Sequence, residues 1–310
     1  MKLAFVFPGQ GSQQIGMMDD FADVAEVRAT FDEASSALGE DLWVLAEKGP
    51  VEAINLTRNT QPLMLTADLA IWRAWLAAGG PKPAVVAGHS LGEYAALVAA
   101  GALALADAVP LVRFRAEAMQ DAVPPGIGAM AAVMGPDDVV AEACREAAQG
   151  EIVEAVNFNA PGQVVIAGHR AAVERAIAAA KARGTKRALM LPVSAPFHSS
   201  LLKPAAVRLA RKLADTRIAT PSIPVLHNVD VTTHPEPAAI RVALSEQAAS
   251  PVRWSETIRA MAADGVTHIV ECGPGKVLSG LARRIDESLV TFALSDRAAV
   301  DEAQAALRAA

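Results

Sequence analysis

Short unbroken apolar runs alternate along the chain with longer stretches whose apolar residues recur at helical spacing, the pattern of buried strands interleaved with helices. Leu3 to Phe7 is such a run, and it ends in Pro8-Gly9-Gln10-Gly11-Ser12-Gln13, a glycine-rich turn whose backbone can approach a ligand closely. Helical spacing over residues 60–76 predicts a helix, with Pro62 near enough to the start to be tolerated. A strand follows at 84–87. It stops at Gly88-His89-Ser90-Leu91-Gly92, after which 93–100 is helix-forming and Gly101 ends the run. Past Pro124-Pro125-Gly126 the texture changes. Strands are predicted at 129–134, 153–157, 164–167 and 188–193, alternating with helices at 137–148 and 171–183. Two strand-helix-strand units of this size imply a small split βαβ lobe of ferredoxin-like type, inserted into a larger α/β domain. From His198 onward the larger units return, with strands at 225–228 and 267–271 and a helix starting near Gly275.

Composition narrows the class. A chain of 310 residues suits one main core plus a smaller lobe rather than several independent domains. Although 52% of residues are hydrophobic, no apolar run approaches bilayer thickness, so a soluble protein without membrane contact is expected. The N-terminal apolar stretch reaches Pro8 and Gly9 too soon for a secretory signal and reads as a first buried strand. Cys144 and Cys272 are too few for a disulfide framework and lack the spacing of a metal site, which fits a reducing cytoplasm and no metal. With 28 basic and 34 acidic side chains the net charge is -6. A general footprint for nucleic acid is therefore missing, and any acidic partner must meet a local basic patch.

The chemistry concentrates in a few places. Gly88-His89-Ser90-Leu91-Gly92 matches G-x-S-x-G, in which a serine on a sharp strand-to-helix turn projects its hydroxyl outward while the next helix aims its N-terminal N–H groups at it. A serine hydroxyl needs a positioned base. Of six histidines, His198 stands out because Val193-Ser194-Ala195-Pro196-Phe197-His198-Ser199 follows a strand at the return from the small lobe to the large one, where clefts form. Packing in a loop would explain it equally well by spacing alone. Arg115 interrupts the apolar face of a helix at Val112 to Met119; its fork suits a carboxylate, and a solvated arginine paired with Glu117 or Asp121 also fits. Gln10 lies where its backbone N–H can face an oxyanion.

Taken together these segments resemble the malonyl-CoA:acyl carrier protein transacylase family of fatty-acid synthesis and the related acyltransferase domains of polyketide synthases. The resemblance spans nearly the whole chain. It runs through Phe7-Pro8-Gly9-Gln10-Gly11-Ser12-Gln13, Gly88-His89-Ser90-Leu91-Gly92-Glu93, Met119-Gln120, Asn157-Phe158-Asn159, Asn228-Val229-Asp230, Pro251-Val252-Arg253-Trp254 and Glu271-Cys272-Gly273-Pro274-Gly275. It implies an α/β-hydrolase-like large subdomain with a parallel sheet, residues 1–125 and 198–310, and a small ferredoxin-like subdomain, residues 126–197. It further implies Ser90 as acylated nucleophile, His198 as base, and the N–H groups of Gln10 and Leu91 as oxyanion hole. Arg115 would hold the malonyl carboxylate, Gln247 would orient the histidine through its backbone carbonyl, and Met119 and Phe197 would line the acyl pocket. No cofactor is implied. The expected partners are malonyl-CoA and an acidic acyl carrier protein, for which Lys186, Arg187, Arg283 and Arg284 are the candidate docking residues, the last two on the C-terminal helix. Two positions invite comparison: many relatives carry glycine where this chain has Ala116, and a phenylalanine at Phe197 goes with malonyl rather than methylmalonyl in the polyketide domains.

Overall fold

The structure, a computed structural model, describes residues 1–309. All five positions of β1 (Leu3–Phe7) are buried because both faces of the strand are covered, the reason its run is apolar without alternation. After it come α1 (Ala25–Leu38), α2 (Leu42–Lys48), α3 (Val51–Ile54) and α4 (Thr57–Ala77). Trp72 and Trp75 of α4 pack edge-on against Phe5, with ring centroids 5.2 and 5.4 Å away, and so dock the helix on the strand. The chain continues with β2 (Val85–Gly88), α5 (Gly92–Ala99) and α6 (Leu105–Asp121).

The inserted unit is β3 (Gly128–Met134), α7 (Asp137–Ala148), β4 (Val153–Ala160), β5 (Gln163–His169), α8 (Arg170–Ala182) and β6 (Arg187–Met190). Its strands form an antiparallel sheet in the order β4-β5-β3-β6, the ferredoxin-like arrangement. Alternation along β3 divides the two faces. Ala129, Ala131 and Val133 pack on α7 and α8, while Met130 belongs to the core of the large lobe. The small lobe therefore shares its second face with the rest of the molecule. After it come α9 (Lys203–Ala214), β7 (Val225–Leu226), α10 (Pro237–Gln247), α11 (Trp254–Ala263), β8 (His268–Glu271), α12 (Val277–Ile285), β9 (Val290–Ala293) and α13 (Arg297–Ala309).

The large sheet is five-stranded and parallel, in the order β7-β2-β1-β8-β9. The molecule is thus an α/β-hydrolase-like large unit with a ferredoxin-like insertion. Register sets the site: Phe7 pairs with Gly88, so β1 and β2 end side by side and their following turns meet at the carboxyl edge of the sheet, where open α/β sheets bind ligands.

Several boundaries differ from the sequence expectation for identifiable reasons. β6 ends at Met190 rather than at 193 because Pro192 has no N–H for the ladder. β7 ends at Leu226 rather than at 228, since the Asn228 N–H donates to the Glu93 carboxylate instead of a strand. α12 begins at Val277, near Gly275 as expected, its first turn capped by Glu271, which accepts from Leu278 and Ser279 N–H at 3.0 and 2.8 Å. β9 and α13 come after it, so Arg283 and Arg284 sit on the penultimate helix and not on the last one.

Candidate active site

The turn between β2 and α5 is built by close backbone approach. A Cβ on Gly88 would lie 1.9 Å from the Gly92 backbone, and one on Gly92 would lie 2.0 Å from the Phe7 carbonyl oxygen. Only glycine fits at either position. Ser90 between them has φ 52°, in the left-handed region, which turns its hydroxyl toward the cleft. Its N–H donates to Asn228 Oδ1 at 2.8 Å, and Asn228 Nδ2 donates to the Gly88 carbonyl at 2.8 Å. The N–H groups of Leu91 and Gln10 donate to none of the described residues. Gly9 holds the first loop against the second, since a Cβ there would meet the His89 carbonyl oxygen at 2.6 Å. Two free amides thus stand at the edge where Ser90 emerges, the requirement for an oxyanion hole.

His198, at the return from the small lobe, brings Nε2 to 2.7 Å from Ser90 Oγ, and its Nδ1 donates to the Gln247 backbone carbonyl at 2.9 Å. That carbonyl accepts only, so it fixes the proton on Nδ1 and leaves the Nε2 lone pair for the serine. Burial first, and the Arg115 charge second, push the imidazole down to about 3. It is neutral across the physiological range and available as a base.

Arg115 is 1% exposed. Nη1 donates to Gln61 Oε1 at 2.8 Å; Nη2 donates to Gln247 Oε1 at 2.7 Å and to Ser90 Oγ at 3.1 Å. The Tyr94 ring lies 5.4 Å from the guanidinium carbon. The surface pairing that the sequence left open does not form: Asp121 pairs with Arg208 at 3.0 Å. Two residues back, Arg113 takes Glu40 through two hydrogen bonds of 2.8 and 2.6 Å. Helical geometry puts these neighbours on different faces, one satisfied by a carboxylate, the other buried among neutral oxygens. Burial lowers the Arg115 pKa.

The cleft above Ser90 is lined by Gln10, Leu91, Met119, Phe197, His198 and Arg115, and by Gln61, His89, Met130, Asn157, Leu191 and Val193. Every site residue named from the sequence except Gln247 lines it directly, and Gln247 stands behind, fully buried. His89 turns away from the hydroxyl to Asn159 Oδ1 at 2.8 Å. Glu93, Asn228, Gln61 and Tyr94 are members that sequence reasoning missed. Glu93 and Asn228 lie within segments that carry the resemblance but received no role from it, and Gln61, polar on the apolar face of α4, was a local signal left unread. Lys186, just before β6, and Arg187, its first residue, are exposed. Arg283 donates to Thr291 Oγ1 at 2.8 Å and Arg284 pairs with Gln163, both exposed on α12. No helix among the described residues is long and apolar enough to cross a membrane, and none of their His, Cys, Asp and Glu side chains cluster to hold a metal.

A half-buried serine and a buried histidine, with free amides on one side and on the other an arginine that no carboxylate contacts, suit transfer of an acyl group that carries its own anion. Comparison with known proteins agrees. The acyl transferase domain family matches residues 4–291. A malonyl CoA-acyl carrier protein transacylase of Escherichia coli K12 is 55% identical over 301 residues, 96% of this chain and 97% of that protein. The crystal structure of an acyl-carrier-protein S-malonyltransferase from Burkholderia pseudomallei 1710b is 60% identical with a TM-score of 0.97, covering 98% of this chain and all of that one. A malonyl-transacylase solved in complex with a type II polyketide acyl-carrier protein is 49% identical with a TM-score of 0.97, over 99% of this chain and 100% of that one. The chain belongs to the acyl transferase domain family and, within it, to the malonyl CoA-acyl carrier protein transacylases.

Proposed function

We propose that the protein moves a malonyl group from malonyl-CoA to the phosphopantetheine thiol of an acyl carrier protein through an ester on Ser90, supplying the extender unit of fatty-acid synthesis. Ser90 Oγ attacks the thioester carbonyl as its proton passes to His198 Nε2. The Gln10 and Leu91 N–H groups hold the oxyanion. Collapse expels the CoA sulfur, which takes the proton from His198, and a carrier thiol then repeats the sequence in reverse on the serine ester. Gln247 keeps the imidazole in the right tautomer without a third acidic residue. Met119 and Phe197 bound the acyl chain, with the ring of Phe197 occupying the space a methyl branch would need.

The observation that carries this reading is Arg115, a buried guanidinium 3.1 Å from the nucleophile whose hydrogen bonds go to amide and hydroxyl oxygens and to no carboxylate, Glu93 standing behind Gln247. A terminal malonyl carboxylate completes it; an acetyl group leaves it bare. Intact-mass measurement after incubation with malonyl-CoA tests the scheme: an adduct on Ser90 should persist until a thiol acceptor is added. Labelling that survives Ser90→Ala, or an adduct lost to water at the rate of transfer, would contradict it.

A second destination is favoured by the relative solved with a polyketide carrier: the same chemistry would serve a stand-alone acyltransferase for a polyketide synthase. We read the chain as a catalytic subdomain, residues 1–125 and 198–310, around a smaller one, 126–197, with Lys186, Arg187, Arg283 and Arg284 as carrier-docking residues. The two buried unpaired cysteines suit work in the cytoplasm.

A further inference from the structure

Glu93 is the second residue of α5 and is fully buried. Its carboxylate accepts three hydrogen bonds: from His227 Nδ1 at 2.7 Å on one oxygen, and from Asn228 N–H at 3.0 Å and Gln247 Nε2 at 2.8 Å on the other. Burial alone would depress the His227 imidazole, but Glu93 outweighs it and raises the His227 pKa. The mechanism above gives Glu93 no task.

Two of its three partners, Asn228 and Gln247, touch the reacting groups. Asn228 holds the Ser90 N–H. Gln247 holds three things at once: its backbone carbonyl takes His198, its Nε2 also donates to the Ser90 carbonyl at 2.9 Å, and its Oε1 accepts from Arg115. A glutamine amide has two interchangeable ends. A carboxylate accepts only, so Glu93 must face the NH2 end, and this forces the oxygen end toward Arg115. Reversed, the amide would set two donors against each other and release the guanidinium from one of its anchors beside Ser90.

We propose that Glu93 is a positioning residue for acyl-chain selection: by fixing which end of the Gln247 amide faces Arg115, it holds the guanidinium where a substrate carboxylate must bind. The proposal rests on Arg115 being the carboxylate site.

Pre-steady-state acylation of Ser90 by malonyl-CoA and by acetyl-CoA, followed by intact mass on the full-length protein, tests it. Glu93→Leu removes the acceptor at similar volume. The malonyl-to-acetyl rate ratio should fall at least about tenfold, the worth of one hydrogen bond to a charged group. Glu93→Gln, which can keep one oxygen on Gln247, should recover most of that ratio. In an Arg115→Ala background, Glu93→Leu should change the ratio no further. Should Glu93→Leu fail to fold by circular dichroism, Gln247→Met cuts the same link while leaving the backbone carbonyl on His198, and the same fall is expected. Equal loss for both donors in a folded variant overturns the proposal, as does a fall that persists without Arg115. A wild-type protein whose donor preference ignores Arg115→Ala altogether would instead sink the carboxylate reading on which it rests.

Discussion

A guanidinium sealed beside a hydroxyl, hydrogen-bonded only to neutral oxygens with the Glu93 carboxylate held off behind Gln247, lacks a carboxylate in direct contact, and that open contact is the selectivity device. Desolvating Arg115 is worthwhile only when an anion arrives, so its removal should penalise one class of donor. Arg115→Ala is expected to slow malonyl acylation of Ser90 about a hundredfold or more while changing acetyl acylation less than about tenfold, measured as kcat/KM for each donor. A uniform loss would show that the arginine only supports the fold. The same charge acts on the base. Because burial and Arg115 together hold His198 down to about 3, the acid limb of kcat/KM should lie well below the value near 6.5 of a free imidazole. Arg115→Ala removes the positive neighbour, makes protonation easier, and should move that limb upward, with burial keeping it below the free value. An acid limb near 6.5 in the unaltered enzyme would mean that a different group titrates. Ser90, His198, Gln10 and Arg115 were legible because each sits in a local pattern of turn, strand end or helix face. Glu93, Asn228 and Tyr94 were not. Glu93 meets Asn228 and Gln247 across separations of 135 and 154 residues, which no local pattern reports.

Elements were legible where burial is two-sided or the helical stripe is strongly apolar. β1, β2 and the small-lobe strands declare themselves by solid or alternating runs, and α4 by its spacing. β9 does not, because it is a short edge strand that is exposed or half-buried along its length. The helix α13 hides for another reason: its inner face is Val300, Ala303, Gln304 and Leu307, too small and too polar to stand out from the abundant alanine. One element carries a buried liability that periodicity conceals. Asp68 sits on the inner side of α4, fully buried, and neither carboxyl oxygen has a partner. Burial, with Glu271 adding to it, raises its folded-state pKa well above 3.8. The unfolded chain ionises near the ordinary value while the folded one resists. Stability is therefore fully present below about pH 4 as far as this group is concerned, and is lost as pH rises toward the folded pKa. Asp68→Asn, which cannot ionise, should gain on the wild type in Tm as pH climbs from about 5 to about 8. Parallel Tm profiles would mean that the carboxyl is rescued in solution by a partner such as ordered water.

At the scale of the whole molecule, the cleft exists because the inserted lobe is not independent. Met130 and Val165 of its sheet join the core of the large lobe, and the irregular segment after β6 carries Leu191, Val193, Phe197 and His198 to the cleft within a few residues. The base thus reaches the nucleophile only when the lobes are docked. An acidic carrier must deliver its arm to this junction against a net charge of -6, so attraction has to be local and salt-sensitive. Lys186 and Arg187 stand at the start of the open edge strand β6, the lysine just before it and the arginine its first residue, and the continuation of β6 lines the cleft, whereas Arg283 is engaged with Thr291 and Arg284 with Gln163. That difference orders the candidates. Reversing Lys186 and Arg187 together to glutamate should raise the KM for the carrier about tenfold at low salt, leave the malonyl-CoA half-reaction close to wild type, and lose its effect as ionic strength screens the field. Reversing Arg283 and Arg284 should cost less on the carrier. Steady-state transfer at two salt concentrations, read against single-turnover acylation of Ser90, separates these cases: a defect confined to acylation would assign Lys186 and Arg187 to the donor rather than the carrier, and an effect indifferent to salt would remove electrostatic docking there altogether.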